Sequence, residues 1–567
     1  MSVFRAAFLV GAVVCLPLLG SVGLWDPWET HYAEVGRQML ARADLVHPYW
    51  EHAYFFSKPP LVPWLAALGL FLSGGQPWGQ PGAGPLPSSV EWFIRLPIAL
   101  LMLFAAALFA DTVARYTSRR VGLLTAVVWW TMPLVCFLSR QLMTDGPFIS
   151  CLMLSLACAL RAELEKDSAR WWAGAFSAVG VALLAKGLLG FLPFVLLPLS
   201  WLLLDGKGAW ARVRQVPWWG IPLTLSIGAP WYVAMARFTE RDDEGRRFAE
   251  RFFGYDHLDR FVSGVHTTTP GGTFTYFLEQ GAFALAPWVL LLPLALRWGP
   301  LGTGPGDEKR RRLTITMGLS SLFTFALFTA SATRFHHYVL PVLPGLAVLL
   351  ALALDRLLIE GLAMHRPALL LGAVLQALVW KDLWQRPRHL LDLFTYNHDR
   401  PYPDAVLLAP VPFKAALLVA LILFSIGLSS ALARQRVERF VGGIVGFSVV
   451  VALFLSWQHW PALGRHWTQR DLMTHYFSRR HAGEPLGAFL MNWKGETFYT
   501  RNEVVQLSAR DPRGELTALA LRPGKAFVLV EQARLGVLRG SLPPGQRVEV
   551  LEPETMNKFT LVSLDDP

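Results

Sequence analysis

Charged residues are scarce in this sequence. They make up 16% of the 567 residues, whereas hydrophobic residues make up 53%, and the mean hydropathy is +0.38. Apolar runs long enough to cross a bilayer recur along most of the chain, so an ordinary water-soluble protein is excluded. Lysine and arginine lie in short loops between these runs. The net charge of +11 therefore reflects the positive-inside pattern and argues against nucleic acid as a partner.

Cysteine is also rare, and several motifs that are common in enzymes are missing. The sequence has no P-loop, no dinucleotide-binding glycine motif and no serine nucleophile elbow. We therefore expect no nucleotide cofactor. The four cysteines lie in apolar runs without the spacing of metal ligands, which argues against a disulfide framework or a zinc site: Cys15, Cys136, Cys151 and Cys158.

The apolar runs predict a polytopic α-helical membrane domain over residues 1–457. The first run, 4–24, has no small-x-small cleavage site at its end and is interpreted as an uncleaved span. Each span takes about 20 residues, and placing every basic loop on the inner side predicts roughly thirteen spans. Residues 25–92 and the loop 237–276 then lie outside.

Two apolar stretches depart from ordinary span length. Residues 61–72 are too short to cross, so we expect a helix at the outer interface within 25–92. Residues 173–204 are too long for one span. A break at Lys186-Gly187 divides them into two short spans and places the lysine at the outer turn.

The composition changes near residue 458. Short segments rich in β-forming residues, with glycine and proline turns between them, predict a small soluble α/β domain over 458–567 outside the membrane. No group of residues in this domain points to catalysis. A lid, a docking surface for an acceptor and a simple cap remain open roles for it.

The unusual polar residues of the membrane domain all fall on the outer side. An ionisable side chain at the centre of a span costs about 2.5–3.5 kcal/mol on insertion scales, so such residues are rarely without a function. Their clustering predicts an outward polar cavity in which carboxylates provide a base or hold a metal and cations attract an anion such as phosphate. The residues are Asp26, Glu29, Glu34, Lys58, Arg140, Asp145, Lys186, His257, Arg260, Arg334, His336 and His337.

Several of these residues also have a structural interpretation when each is taken alone. A carboxylate or hydroxyl at a helix start satisfies free N–H groups, and a lysine near a span end extends its charge to the interface. The structural alternatives are Asp26 or Thr30 as a helix cap, Glu29 as a first-turn acid, Lys186 as an interfacial lysine, Asp145 as the cap before Gly146-Pro147, and His336-His337 as interfacial residues beside Tyr338.

The segment PWETHYAEVGRQML resembles the first outer loop of bacterial aminoarabinose transferases, which has a P-D-E-T-x-Y-A-E pattern. It is also similar to the D-E-x-H-[FY] motif of protein O-mannosyltransferases. The resemblance covers roughly residues 1–350. Further segments agree in the same order: FSKPPLVPWL, LMTDGPF, LLAKGLLGFLPF, PWYVAMA with GYDHLDRF, and TRFHHYVLPVLPGLAVL.

This resemblance implies the GT-C glycosyltransferase fold and transfer, with inversion, of a sugar from a polyprenyl-phosphate donor. An acid of the first outer loop would deprotonate the acceptor hydroxyl, and Lys58, Lys186 or Arg334 would stabilise the charge of the leaving phosphate. The catalytic acids are expected among Asp26, Glu29 and Asp145. Other residues expected near the substrate are Tyr32, Glu34, Arg140, His257, Arg260, His336 and His337.

The sequence departs from the family at two positions. The catalytic Asp of the family, which directly precedes Glu, aligns with Trp28, so the base would be Glu29 or, slightly favoured, Asp26. The aminoarabinose transferases carry Glu before the Lys-Pro pair, where this chain has Ser57. A divalent metal site that depends on that Glu is therefore in doubt.

The sequence thus predicts an integral-membrane glycosyltransferase of the bacterial inner membrane, with its active site and C-terminal domain in the periplasm. Its partners are a polyprenyl-phosphate (undecaprenyl-phosphate) sugar and an envelope acceptor, with aminoarabinose transfer to lipid A as the leading subtype. The alternatives are a protein O-mannosyltransferase-like enzyme and a transporter or flippase of lipid-linked sugars. A transporter predicts inverted repeats and charges at mid-membrane, and the sequence shows neither.

Overall fold

The computed structural model describes most of the chain. Parts of the predicted outer loops, 75–83, 264–271 and 396–410, lie outside the described residues. The described ranges are 1–74, 84–87, 89–165, 168–263, 272–298, 307–386, 389, 393–395, 411–491, 493–508, 510–522, 524–542, 545–551 and 557–564.

The described chain is mainly helical up to residue 479, as its apolar runs predict. Short 3-10 and π segments interrupt the helices at several points that matter for the site. The α-helices are α1 (Val3–Cys15), α2 (Trp28–Ala41), α3 (Leu61–Leu72), α4 (Val90–Tyr116), α5 (Arg119–Trp130), α6 (Pro133–Leu138), α7 (Asp145–Leu164), α8 (Ser168–Lys186), α9 (Leu192–Asp205), α10 (Ala209–Gln215), α11 (Gly220–Arg237), α12 (Arg260–Ser263), α13 (Thr273–Leu285), α14 (Leu292–Trp298), α15 (Glu308–Ala330), α16 (Leu343–Glu360), α17 (Arg366–Gln385), α18 (Val411–Ala433), α19 (Val437–Phe454), α20 (Trp460–Trp467), α21 (Arg470–Arg479), α22 (Gly495–Tyr499), α23 (Pro512–Ala520) and α24 (Leu535–Ser541).

Seven helical segments in the described part of the chain are long and apolar enough to cross a membrane. The bent pair Thr273–Leu285 and Trp288–Arg297 adds an eighth if it counts as one span. The prediction of a polytopic helical membrane protein is therefore confirmed. The number of roughly thirteen spans stays a prediction, because α1, the helix of the first predicted span, is short for a crossing of about 20 residues. α3 is short as well, as expected for the predicted interface helix over 61–72.

The predicted break in the long apolar run 173–204 is present. α8 ends at Lys186, and a 3-10 turn, Gly187–Phe191, leads into α9. Gly187 has a φ of +65°, a left-handed backbone conformation that residues with a Cβ rarely adopt. The glycine therefore allows the helix to end directly after the lysine.

The first outer loop forms a compact platform. α2 and α3 pack against each other, and a short hairpin of β1 (Tyr49–Trp50) and β2 (Ala53–Tyr54) joins them. Gly36 of α2 lies so close to α3 that a Cβ at this position would be 2.7 Å from the Pro63 carbonyl oxygen. The tight packing fixes the direction in which α2 presents its side chains.

The C-terminal domain is built on a mixed five-stranded sheet, as its β-rich segments predict. The strand order is β4-β3-β5-β7-β6, with β3 parallel to β4 and β5, and β7 antiparallel to β5 and β6. The central strands β5 and β7 are buried along their whole length. The strands are β3 (Leu486–Phe489), β4 (Val505–Leu507), β5 (Ala526–Glu531), β6 (Val548–Val550) and β7 (Phe559–Leu564).

The C-terminal domain docks on the outer loop and on the end of the first apolar run. The Tyr499 hydroxyl accepts a hydrogen bond from the Leu24 amide at 2.7 Å and donates one to the Glu91 carboxylate at 3.1 Å. The Lys494 ammonium lies 3.8 Å from the centre of the Trp50 ring. These contacts bury polar groups from both domains, so the C-terminal domain is tightly packed against the helical domain.

A buried ionic junction connects this docked layer to the spans. Arg95 of α4 forms a two-pronged ion pair with Glu29 of α2, with N–O distances of 2.6 and 2.9 Å. The same guanidinium donates to the carbonyls of Leu19, Val22 and Gly23 at 2.8–2.9 Å. Both side chains of the pair are buried. The junction therefore fixes the chain between α1 and α2 against α4.

The remaining acceptor sites of Glu29 are also used. Its carboxylate oxygens accept the amides of Trp25 and Leu142, each at 2.8 Å. A second arginine, Arg140, donates to the carbonyls of Val14 and Cys15 at the end of α1, where helix geometry leaves carbonyls without partners. Glu29 and Arg140 thus hold the helices together.

We expect Glu29→Gln to lower the unfolding temperature of the purified protein strongly. Removing one charge of a buried pair leaves the Arg95 charge uncompensated, a loss of about 3–5 kcal/mol. Thermal unfolding in detergent measures this. The control Glu549→Gln removes a surface carboxylate that is 59% exposed beside Lys525, a pair of the kind that contributes about 0–1 kcal/mol. Equal unfolding temperatures for the two variants would contradict the structural role of Glu29.

Candidate active site

A cavity of about 190 Å³ opens where several helix ends meet the outer loop. α7 contributes its first residue, Asp145, and α8 its last residue, Lys186. α2 contributes Trp28 and Tyr32 from the first outer loop. The π-helix Glu250–Asp259 and the 3-10 segment His336–Val342 complete the wall. The polar lining comprises Tyr32, Ser57, Lys58, Thr144, Asp145, Lys186, Asp256, His257, Arg260, Ser331, His337 and Tyr338.

Cations outnumber carboxylates among the described residues of the lining. Lys58, Lys186 and Arg260 are present with two carboxylates, Asp145 and Asp256. In a largely buried site, unbalanced positive charge attracts an anion more strongly than it does in water. The electrostatics of the cavity therefore suit a phosphate-sized anion.

Asp256 is the centre of one charge cluster. Its Oδ1 lies 2.7 Å from Arg260 Nη2 and 3.7 Å from Lys58 Nζ, and its Oδ2 lies 3.2 Å from Arg251 Nε. Burial alone would raise the pKa of Asp256, but the charges of Lys58, Arg260 and Arg251 hold this pKa below its usual value. Asp256 is thus a stable carboxylate that positions cations.

Lys58 is poised to gain charge when an anion binds. Burial, together with repulsion from Arg260, lowers the pKa of Lys58 to about 7, although Asp256 opposes the shift. A bound anion would stabilise the ammonium form and raise this pKa again. An anion in the cavity therefore favours the charged form of Lys58.

The second charge cluster lies at the junction of α7 and α8. Lys186 Nζ is 2.5 Å from Asp145 Oδ1, and His337 Nε2 is 3.9 Å from the other oxygen of the same carboxylate. The ammonium also lies 5.1 Å from the centre of the Tyr338 ring, within cation–π range. These contacts hold the ammonium at the cavity wall.

His257 faces the cavity in one defined tautomer. Its Nδ1 lies 2.7 Å from the Phe252 carbonyl oxygen, which is only an acceptor, so Nδ1 carries the proton. Nε2 faces Gly187, where a Cβ would lie 2.7 Å away. Burial and the charges of Lys58 and Arg260 lower the pKa of His257, so the neutral ring is favoured. Its Nε2 therefore carries the lone pair and packs against Gly187.

The structure brings together seven of the side chains singled out in the sequence and leaves six outside. The seven that line the cavity are Tyr32, Lys58, Asp145, Lys186, His257, Arg260 and His337.

The acids expected to act as the base are among those outside. Glu29 is committed to Arg95 and to two backbone amides. Asp26 lies beneath the C-terminal domain, where its Oδ1 accepts the Thr30 hydroxyl at 2.5 Å. Burial and the nearby Glu496 raise the pKa of Asp26 well above its usual value. Neither acid lines this cavity, and the choice of either one as the base stays a prediction.

Four further residues of the predicted site also lie elsewhere. Glu34 forms a buried ion pair with Arg37 at 2.6 Å, and Arg140 holds the end of α1. Arg334 and His336 are not part of the cavity lining, although His336 packs against His337 with ring centres 5.2 Å apart. The side chains of Glu34 and Arg140 are therefore engaged with structural partners.

Sequence reasoning missed Asp256 and Arg251 and did not expect Trp28 inside the cavity. Asp256 precedes His257 and lies four residues before Arg260, so its i,i+4 spacing to a cation was a usable signal. Trp28 occupies the position at which the resembling family has its catalytic Asp, and it lines the cavity. The first outer loop therefore presents an indole where that family presents a carboxylate.

The cavity does not fit a divalent metal. Ser57 stands where the family has Glu, and its hydroxyl lies 3.1 Å from Arg251 Nε. Both cavity carboxylates are paired with cations. In the described part of the chain, the group of side chains able to hold a metal, Glu279, Asp382 and His389, lies outside the cavity lining.

Comparison of the whole fold with solved structures is decisive for the architecture. The structure superposes on the crystal structure of ArnT from Cupriavidus metallidurans bound to undecaprenyl phosphate with a TM-score of 0.72, covering 99% of this chain and 97% of that chain at 22% identity. The chain has the GT-C glycosyltransferase fold. The apo form of the same protein gives a TM-score of 0.70 at 21% identity, so the fold predicted from the resemblance is confirmed.

Sequence comparisons agree with this fold. Residues 30–240 match the family described as dolichyl-phosphate-mannose-protein mannosyltransferase. The chain is 30% identical over 367 residues to undecaprenyl phosphate-alpha-4-amino-4-deoxy-L-arabinose arabinosyl transferase 2 of Pseudomonas fluorescens, an alignment that spans 64% of this chain and 60% of that relative. A transferase with the same substrate name from Pseudomonas aeruginosa is 28% identical, with 59% and 56% covered. The matched part thus spans about 60% of the relatives' length.

We expect Asp256→Asn to destabilise the protein and Asp259→Asn to leave it unchanged. The Asp256 side chain is buried among three cations, and its loss leaves them to repel one another, at a cost of about 3–5 kcal/mol. Asp259, three residues later, is exposed. Thermal unfolding of both variants in the same detergent gives the comparison. Indistinguishable midpoints would show that Asp256 does not organise the cations.

Proposed function

We propose that the protein transfers a sugar from a polyprenyl-phosphate donor to an envelope acceptor at the outer face of the bacterial inner membrane. The observation that carries this proposal is the cation-rich cavity at the ends of apolar helices. A phosphate linked to a lipid meets such a site without leaving the membrane surface. The absence of nucleotide-binding motifs agrees with a lipid-linked donor.

The donor phosphate binds among Lys58, Lys186 and Arg260. The bond from the sugar to this phosphate breaks during transfer, so negative charge develops on the leaving oxygen. Cations held in place before the reaction stabilise that charge most effectively in a buried site. Asp145 and Asp256 act as positioning residues, since each holds the cations by short ion pairs.

A large apolar groove next to the cavity suits the polyprenyl chain. It encloses about 820 Å³ between α13, α15, α16 and α17 and is lined almost entirely by aliphatic and aromatic side chains. The helix α15 contributes Leu322 and Phe325 to the groove and Leu327 and Phe328 to the cavity. One lipid can therefore place its phosphate in the cavity and its chain in the groove.

Aminoarabinose transfer is the leading subtype, because the relatives at 28–30% identity are named as aminoarabinose transferases. Lipid A is the leading candidate for the acceptor. The match to the mannosyltransferase family supports a protein O-mannosyltransferase-like activity as the second subtype. Trp28 and Ser57 alter the surroundings of the reacting groups in either case. The positive-inside pattern supports a periplasmic position for the cavity and the C-terminal domain.

The first experiment uses the purified protein in nanodiscs with polyprenyl-phosphate sugars and mixed envelope acceptors, including lipid A. We expect that polyprenyl phosphate is released and that its release depends on the acceptor. Mass spectrometry measures the released polyprenyl phosphate.

Lys186→Gln should weaken donor binding by about 1.5–3 kcal/mol, roughly tenfold to a hundredfold in Kd, because a charge-assisted contact is lost. Arg247→Gln is the control, since Arg247 is exposed on the same outer loop.

Two results would contradict the proposal. If Lys186→Gln and Arg247→Gln bound the donor equally well, the phosphate site would not lie in the cavity. Donor that binds and changes leaflet, but is consumed with no acceptor, would favour a transporter of lipid-linked sugars.

A further inference from the structure

The wall that α2 contributes to the cavity is aromatic. Trp28 is the first residue of α2 and Tyr32 follows one turn later, so both side chains lie on one face of the helix, and both line the cavity. The three cations of the lining come from other elements. Lys58 precedes α3, Lys186 ends α8 and Arg260 begins α12. In the described lining, α2 therefore supplies aromatic rings where other elements supply charge.

The lining differs from the resembling family by the loss of two carboxylates. Trp28 stands where that family has Asp and Ser57 where it has Glu, and both side chains line the cavity. An indole and a hydroxyl carry no charge. The two carboxylates that the described lining retains, Asp145 and Asp256, are held by cations at 2.5 and 2.7 Å. A further positive charge in the cavity would therefore find no unpaired carboxylate among the described lining residues.

The donor phosphate alone balances the charge of the lining. The lysines and the arginine exceed the two carboxylates by one positive charge. A polyprenyl-phosphate sugar carries one negative charge on its phosphodiester, which compensates this excess. A protonated amine on the sugar would add a positive charge to a largely buried site, where an uncompensated charge is costly. The cavity thus offers an amino sugar no electrostatic gain over an uncharged one.

The neutral polar groups of the lining suit a sugar hydroxyl as well as a sugar amine. Thr144, Ser331 and Tyr338 present hydroxyls, which both donate and accept hydrogen bonds. The C–H face of a sugar ring is apolar, and it packs well on an aromatic surface. The indole of Trp28 offers such a surface, because it lines the cavity and is only half-buried. The ring face of the sugar is therefore the feature that this cavity recognises best.

We propose that Trp28 binds the donor sugar through the apolar face of its ring, and that the site recognises this ring without requiring an amino group. This inference rests on the proposed function and defines its donor class. Aminoarabinose, the leading subtype, is one member of that class, and the corresponding uncharged sugar binds equally well. The loss of carboxylates at positions 28 and 57 thus widens the range of sugars that the site accepts.

The test measures the binding of three lipids to the full-length protein in nanodiscs. They are polyprenyl phosphate carrying aminoarabinose, the same lipid carrying arabinose, and polyprenyl phosphate without a sugar. We expect the two sugar donors to have Kd values within about threefold of each other, because the amine has no carboxylate partner. An ion pair between the amine and a carboxylate would instead favour the aminoarabinose donor by about tenfold or more.

Trp28→Ala should weaken the binding of both sugar donors about tenfold, because the stacking surface is lost. The binding of polyprenyl phosphate without a sugar should stay unchanged, since the indole contacts the sugar and not the phosphate. Trp28→Phe keeps an aromatic face and should retain most of the affinity. Trp218→Ala is the control, because Trp218 lies just before α11 and is 80% exposed.

The outcomes separate this inference from the proposed function. If the wild-type protein bound none of the three lipids, the proposed function and the inference would fail together. Unchanged binding of the sugar donors by Trp28→Ala, or a preference of about tenfold or more for the aminoarabinose donor in wild type, would overturn the inference and leave the function standing. Equal weakening of all three lipids by Trp28→Ala would assign Trp28 a structural role, which also overturns the inference.

Discussion

The buried pair of Glu29 and Arg95 is the interaction on which the packing of α2 against the spans depends. It joins α2 to α4, and the same guanidinium binds the carbonyls that follow α1. Glu29 also accepts the amide of Leu142, three residues before Asp145. An ion pair with every acceptor and donor satisfied can persist in a buried environment, whereas a half-satisfied pair cannot. The start of α7 and the position of α2 are therefore set by one junction.

The cavity is a second group of charged residues, and its positive and negative charges are not equal in number. In the junction, one positive and one negative charge balance each other. Backbone groups occupy the remaining hydrogen-bonding positions of the two side chains. In the cavity, Lys58, Lys186 and Arg260 exceed the carboxylates that hold them, and Lys58 has a pKa lowered to about 7. The balanced charges of the junction are typical of a structural element, and the excess of cations in the cavity is typical of an anion-binding site. The two systems are separate, although Glu29 directly follows Trp28 of the cavity lining in the sequence.

The sequence was informative where a local rule applied. The length of the apolar run 173–204 together with Lys186 predicted the helix break, and the clustering of cations on one face predicted the cavity. The β-rich C-terminal segments predicted the sheet. The sequence could not reveal that Glu29 meets Arg95, 66 residues away, because such a pairing is fixed by the packing of α2 on α4. Asp26 likewise lies against the C-terminal domain, near Glu496 in α22. No local sequence pattern indicates this contact.

The position of the phosphate tests the account most directly. A structure of the protein with polyprenyl phosphate, determined by cryo-electron microscopy in nanodiscs, would show where the headgroup binds. The account predicts phosphate oxygens within hydrogen-bond distance of Lys58, Lys186 and Arg260, about 2.7–3.2 Å, with the lipid chain between α13 and α15. A headgroup bound beside Asp26 and the C-terminal domain, with this cavity left free of lipid, would contradict it.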